Sequence, residues 1–367
     1  MKKIGYYILL LSILILPISI YASGNEVTEV ASEIALENCL RNGAVCKLTD
    51  DIAIRYTMGS SGETILDLNG HTISPTADMK VNGGFIVVES GSKLTINDTT
   101  GNGIITTGAS NKNVWAAVQL LKEESTGENA ELIVNGGTIE GYKYGIVGND
   151  KRHNTKITIN GGIIRGLNQD DSAGIYQPQI GEIIVNGGVI KGGTGIEIRS
   201  GSLTVNNGTI EGIAPTFTKT NNENDITTAG VGIAVAQYVT KNPIQVSIQG
   251  GDISGQYAFY EWNPHNNSQA DLEKITISIT DGDFKSTLSG GVAVYSQNFK
   301  KFISGGKFNT EVTEYLVDNT NLAAKITLDN VNISQEETKN NNWIFIIIGG
   351  VVIIGISGFI LYKRKSV

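Results

Sequence analysis

The sequence predicts an all-β solenoid, a parallel β-helix, and three observations carry that expectation. A ten-residue phrase recurs four times between Leu132 and Gly212, as LIVNGGTIEG, ITINGGIIRG, IIVNGGVIKG and LTVNNGTIEG. Its asparagine stands at 135, 160, 186 and 206, in steps of 25, 26 and 20 residues. A period in that range marks stacked coils that cannot bury their apolar faces singly. Within each phrase the apolar residues alternate, as in Leu132, Val134 and Ile139 or Ile157, Ile159 and Ile164, which is the period of a strand. No coil carries the i, i+3, i+4, i+7 spacing that a two-helix repeat needs.

Looser copies extend the array upstream to residues 65–74 and 94–106 and downstream to 246–255, 277–286 and 302–309, giving about nine coils between residues 65 and 330. The glycine pair of each phrase divides it into two short strands. A third short strand follows a variable loop, at 144–147, 173–176, 194–198, 231–235, 257–260 and 291–295. Coils about 4.8 Å apart place equivalent positions directly over one another. Ile146, Ile175, Ile196, Ile233, Phe259 and Val294 are therefore expected in one inward column. Asn97, Asn135, Asn160, Asn186 and Asn206 are expected as a ladder at one corner, continued by Gln249, Thr280 and Ser304.

The ends have other roles. Lys2 and Lys3 precede an apolar run from Ile4 to Ile20, so residues 1–22 read as an export signal. Residues 23–46 read as an N-terminal cap containing a short amphipathic helix, with Val30, Ile34, Leu36 and Leu40 on its apolar face and Asn42-Gly43 as its stop. Such a cap covers the open end of a solenoid. Cys39 and Cys46, the only cysteines, suit a small disulfide pinning that cap outside the cell. Residues 47–333 form the predicted β-helix, its end a closing coil over 311–333, and 334–342 a polar linker. Trp343 to Tyr362 is uncharged throughout and long enough for one membrane span. Lys363, Arg364 and Lys365 then hold the tail, 363–367, in the cytoplasm, so the β-helix lies outside the cell.

Setting aside the two lysines of the leader and the three basic residues of the tail takes the net charge from −8 to about −13. That balance disfavours nucleic acid and acidic polysaccharides as partners. The one basic cluster lies at 149–154. His71, His153 and His265 are scattered, so no metal site and no cofactor is expected. The longest loop, 214–229, is polar and reads as a projecting segment.

Residues 65–74 followed by GGFIVVESGSKLTINDTTGNGIIT (83–106), by the repeated NGGxIxG phrase and by FISGGKFNTEVTEYL (302–316) give the chain a family likeness. Over roughly 47–320 it resembles the bacterial pectin-lyase-like surface proteins, adhesin-like right-handed single-stranded parallel β-helices. The resemblance implies that handedness and exposure on a bacterial surface, and it brings no ligand. The same fold hosts polysaccharide lyases and glycoside hydrolases, which need converging carboxylates or calcium ligands beside a base. Asp170-Asp171 is the only paired aspartate on a mid-array loop, yet the NTD-like, GHG and RIK motifs of the family's hydrolases are missing. Arg199 has no lysine two residues on. Asp150, Lys151, Arg152 and His153 share one loop with no second acidic strand position, and His71 sits inside a structural phrase.

The expectation is therefore a non-catalytic, adhesin-like protein binding glycans or other surface ligands. An extracellular lyase or hydrolase and a passive coat or stalk stand as alternatives. Aligned third strands put Val147, Tyr176, Glu197, Ala234, Tyr260 and Tyr295 in one outward column, flanked by Gln177, Glu261 and Trp262. Aromatic rings beside carboxylates suit a sugar ligand, so Tyr176, Tyr260, Tyr295, Glu197, Glu261 and Trp262 are the candidate binding residues.

Overall fold

The structure, a computed structural model, describes residues 26–79, 83–121, 129–148 and 154–318, together with the backbone of 322–327 and 330–335. The predicted leader, membrane span and tail lie outside the described residues, as do residues 149–153 of the basic cluster. Among the described residues no helix is long and apolar enough to cross a membrane.

Three rows of short strands wind around one apolar core. Face A holds the strand before each corner asparagine, for example Ala130–Val134, Thr155–Ile159, Gly181–Val185 and Gly201–Val205. Face B holds the strand after it, such as Thr138–Gly141, Ile163–Gly166, Val189–Gly192 and Thr209–Gly212. Face C is a nine-stranded sheet that includes Tyr144–Val147, Ala173–Gln177, Thr194–Ile198, Val231–Val235, Tyr257–Glu261 and Val294–Ser296. Each strand pairs in parallel with its equivalents in neighbouring coils. The architecture fits a parallel β-helix. Leu132, Ile157, Ile183 and Leu203 stack in register, as do Ile146, Ile175, Ile196, Ile233, Phe259 and Val294, and all are buried.

The corner explains the phrase. Asn135 donates its amide to Asn97, Asn160 to Asn135, Asn186 to Asn160 and Asn206 to Asn186, each over 2.8 Å. The second glycine of the pair takes a positive φ, 79° at Gly137 and 81° at Gly162 and Gly188, which costs a residue with a Cβ about 1–2 kcal/mol. The first glycine is required by approach: a Cβ on Gly161 would stand 2.7 Å from the carbonyl oxygen of Asn135 in the coil before. Beyond Asn206 the ladder stops. The twelve-residue strands Ile244–Gly255 and Ile275–Ser286 run through the corner with a shift in register, and Thr280 donates to the carbonyl of Ile248 instead.

The N-terminal end is built differently from the expectation. Val27–Val30 is a strand that pairs in parallel with Val45–Leu48, so it is a rung of face A and not part of the helix. The helix is shorter, Glu33–Arg41. Ser32 caps it by accepting from the Ala35 amide at 3.3 Å, and Asn42 with Gly43 at φ 63° ends it. Leu36, Cys39 and Leu40 form its buried face, whereas Ile34 is 68% exposed. Ile34 stands two residues before Leu36, about 200° round the helix, and so on the opposite side. A disulfide joins Cys39 to Cys46, with their Cα atoms 5.9 Å apart, and so ties the helix to the second rung.

At the other end the parallel stack runs on through single bridges, from Ile279 to Ile303 and from Ile303 to Leu316. Leu322–Thr327 pairs antiparallel with Asn330–Gln335, which in turn pairs antiparallel with Gly306–Phe308. This occupies an edge that would otherwise present unpaired backbone groups.

The ladder yields a graded expectation. Asn186 both donates and accepts, whereas Asn206 only donates within it. With each bond contributing about 1 kcal/mol, Asn186→Ala is expected to lower stability in chemical denaturation by roughly twice as much as Asn206→Ala. Equal losses would mean that the amides act singly and not as a ladder.

Candidate functional site

Face C presents the predicted column in the predicted register: Val147 beside Tyr176, then Glu197, Ala234, Tyr260 and Tyr295. The column does not face solvent. Tyr176 is 4% exposed, Tyr260 3% and Glu197 0%, because residues 213–229 lie flat across the sheet. The segment expected to project is a strap. Of the six candidate residues only Tyr295 and Trp262 are partly exposed. Glu261 is a further correction. Strand alternation puts it in line with Ile198 and Val235 rather than with Tyr260, and it is fully buried. There it accepts hydrogen bonds from the hydroxyl of Ser296, the amide of Asn298 and the Asn298 side chain, over 2.7–2.9 Å.

Two aromatic clusters sit under and beside the strap. Tyr144 stacks on Tyr176 with ring centroids 5.2 Å apart, and Trp115 meets Tyr144 edge-on. Ile226 of the strap packs on this group. Further along the stack, Tyr260 lies on Tyr295 with centroids 4.8 Å apart, and Phe217 of the strap wedges against Tyr257 and Tyr260. Between the clusters the strap is held by charge. Glu197 accepts from the amide and hydroxyl of Thr227 and from those of Thr228, over 2.8–3.2 Å. Arg199, also fully buried, donates to the carbonyls of Asn222 and Asp225 at 3.2 and 2.8 Å and to the Tyr176 hydroxyl at 3.1 Å. Its guanidinium lies 4.5 Å over the Tyr238 ring and touches His265. Asp225 bonds both Lys143 and the Tyr144 hydroxyl. The Trp262 indole donates to the Thr227 hydroxyl at 3.2 Å.

Burial sets the electrostatics. It raises Glu197 to about 7, against the opposing pull of Arg199 and the threonine donors. Burial also raises Glu261, only partly countered by Asn298 and Ser296. His265 is lowered by burial and by Arg199. For Lys143, burial acts downward, but its bonds to Asp225 and Asp171 outweigh it and the amine is raised.

Asp171 is bound to Lys143 at 2.9 Å, and Asp170 is exposed beside it. Each of the two carboxylates of face C accepts hydrogen bonds from several donors. His71 lies 3.5 Å from Asp51 at the surface. Among the described residues no group of three or more histidine, cysteine or acidic side chains converges as metal ligands would. Sequence reasoning missed Tyr144, Phe217, Lys143 and Asp225 as members of the site. Tyr144 was visible within a third-strand phrase, but nothing local distinguishes a strap that lies down from one that projects. No family description, no curated protein and no solved structure matches the chain.

The buried carboxylate gives a pH signature. Glu197 holds its proton to about 7 when folded, against an ordinary value of 4.5. Between those two values the folded state binds a proton that the unfolded chain releases, so this group's contribution is full below pH 4.5 and declines as pH rises to about 7. The total is at most about 3 kcal/mol. Expressed as wild type minus Glu197→Gln, unfolding free energy is expected to fall across pH 4.5–7 and level off above. A flat difference would mean that Glu197 is ionised throughout.

Proposed function

We propose that the chain is a cell-surface protein: a right-handed β-helix held outside the cell by the C-terminal span at 343–362, binding a neutral glycan without cleaving it. The carrying observation is the partly exposed aromatic rim beside the strap. Tyr257, Tyr295, Trp262 and Phe217 are each half-buried around the buried ring of Tyr260. Lys219 is exposed and lies 5.2 Å over the Trp262 ring, and Asn263 and Gln297 meet at the same edge. Rings fixed by packing offer flat apolar faces for a sugar ring with little loss of side-chain freedom. The lysine and amides offer donors for its hydroxyls. The acidic balance outside the membrane favours a neutral glycan over an acidic one. This reading moves the proposed contact from the buried Tyr176, Glu197 and Glu261 to the rim.

The test is a pull-down of the full-length protein in neutral detergent against a panel of polysaccharides and host glycans, with each supernatant assayed for released sugar. Binding without release is expected, weakened at least about ten-fold by Trp262→Ala or Tyr295→Ala if each ring contributes about 1.4 kcal/mol. Unchanged binding in both variants would place the site elsewhere. Released sugar would replace this reading with the lyase or hydrolase one, and silence across the panel would favour a coat.

A further inference from the structure

Face A carries a pattern that neither the core nor the aromatic rim uses. Its outward side chains form two columns. In the first, Glu63, Lys93, Glu131, Lys156 and Glu182 follow one another in register. In the second, Ile65, Thr95, Ile133, Thr158, Ile184 and Thr204 do the same. Acid alternates with base, and isoleucine with threonine, each with a period of two coils. The two alternations are in phase: every coil from Glu63 to Glu182 pairs glutamate with isoleucine or lysine with threonine. All members except the more exposed Glu63 are partly buried by their neighbours.

The stacking itself accounts for half of this. Like charges in adjacent coils would sit about 4.8 Å apart and repel, whereas here Lys93 bonds Glu63 at 2.9 Å and Lys156 reaches Glu182 at 3.4 Å. Stacking does not account for the second column. In the same strands the inward residues stack large apolar side chains on one another from coil to coil, Leu94, Leu132, Ile157, Ile183 and Leu203, with no small polar residue between them. Nothing within the chain requires threonine at every second coil, still less in step with the lysines.

A surface with this pattern complements itself. We propose that face A is a homotypic docking surface, on which a second copy of the chain lies antiparallel about a two-fold axis running along the strands. With the axis between the Glu131 and Lys156 coils, Glu131 of one copy meets Lys156 of the other, and Lys93 meets Glu182. The same operation sets Ile133 against Thr158, Thr95 against Ile184 and Ile65 against Thr204, so each large side chain faces a small one. The contact is isologous and closes on two copies. Two copies in parallel with no offset would oppose glutamate to glutamate. A partner of another sequence would have to reproduce the rung spacing and both alternations, and a second copy already does. Six coils at about 4.8 Å and five residues at about 3.3 Å give roughly 500 Å² per copy. That is about 1,000 Å² in all, the lower end for a specific contact, so the dimer is weak and concentration-dependent.

Sedimentation equilibrium of the full-length chain in neutral detergent tests this independently of any glycan. The wild type is expected to pass from monomer to dimer with concentration, and its dissociation constant to rise about ten-fold on going from 0.05 to 0.5 M salt. Thr158→Glu, flanked within its own column by isoleucines, is expected to remove the dimer without shifting the melting curve. K93E/K156E and E131K/E182K are each expected to be monomeric alone and to form a mixed dimer when combined. A wild type monomeric at every concentration would overturn the proposal, as would a dimer that T158E leaves unchanged. So would two charge variants that melt like the wild type yet fail to recombine. If the uniform ladders do not fold, the T158E result alone decides.

Discussion

In-register stacking of coils is the constraint on which the rest of this structure depends. A residue here is judged less by its neighbours in sequence than by the residue one coil above and one below, about 4.8 Å away. Isoleucine on isoleucine satisfies that condition inside the core and asparagine on asparagine satisfies it at the corner. Both glycines of the repeated phrase follow from it. One must let the backbone of the previous coil pass close by, and the other must turn the chain through a positive φ. Where the asparagines give out after Asn206, the strands run straight through the corner and hydroxyls bond backbone carbonyls in their place. The corner is thus a consequence of side-chain chemistry and not of the winding alone.

The same constraint makes the outer surface of face C costly to leave as it is. Stacking puts Glu197 between Tyr176 and Ala234, with Arg199 just past the end of the same strand. Buried charges of this kind are tolerated only when donors and acceptors surround them. The strap supplies them: threonine amides and hydroxyls for the carboxylate, backbone carbonyls for the guanidinium. Strap and charges are mutually dependent. Without residues 213–229 the glutamate and arginine would return to water, and without the two charges a largely polar segment would have little reason to lie flat.

This interdependence marks the boundary of what the sequence makes legible. Strand positions, the inward columns and the corner ladder are written in a local period, because stacking repeats each decision every coil. The register of the outward column was legible for the same reason. Its burial was not, because the cover comes from a segment with no period of its own. Ile226 and Phe217 are single apolar residues in a polar run, and their roles appear only when the run is laid across Tyr144 and Tyr260. Glu261 was expected to flank the outward column as a binding residue, but it stands one residue past Tyr260, and in a strand that parity turns it to the other face. Val27–Val30 was absorbed into the cap because a four-residue strand preceding a helix offers too few alternations to be recognised.

Faces A and C use one rung spacing to opposite ends. Face C is irregular from coil to coil: tyrosine, glutamate, alanine, tyrosine. Such a surface can be matched by an irregular object, and here a loop of the same chain matches most of it, leaving an aromatic rim partly exposed. Face A is regular across five coils in charge and six in volume. A loop cannot follow a period of two coils for that distance, and a small ligand would meet only one or two rungs of it. What can follow it is another stack with the same spacing. The covering of face C and the openness of face A are therefore two outcomes of one rule, that an irregular surface is matched by an irregular segment and a periodic one by an object of the same period.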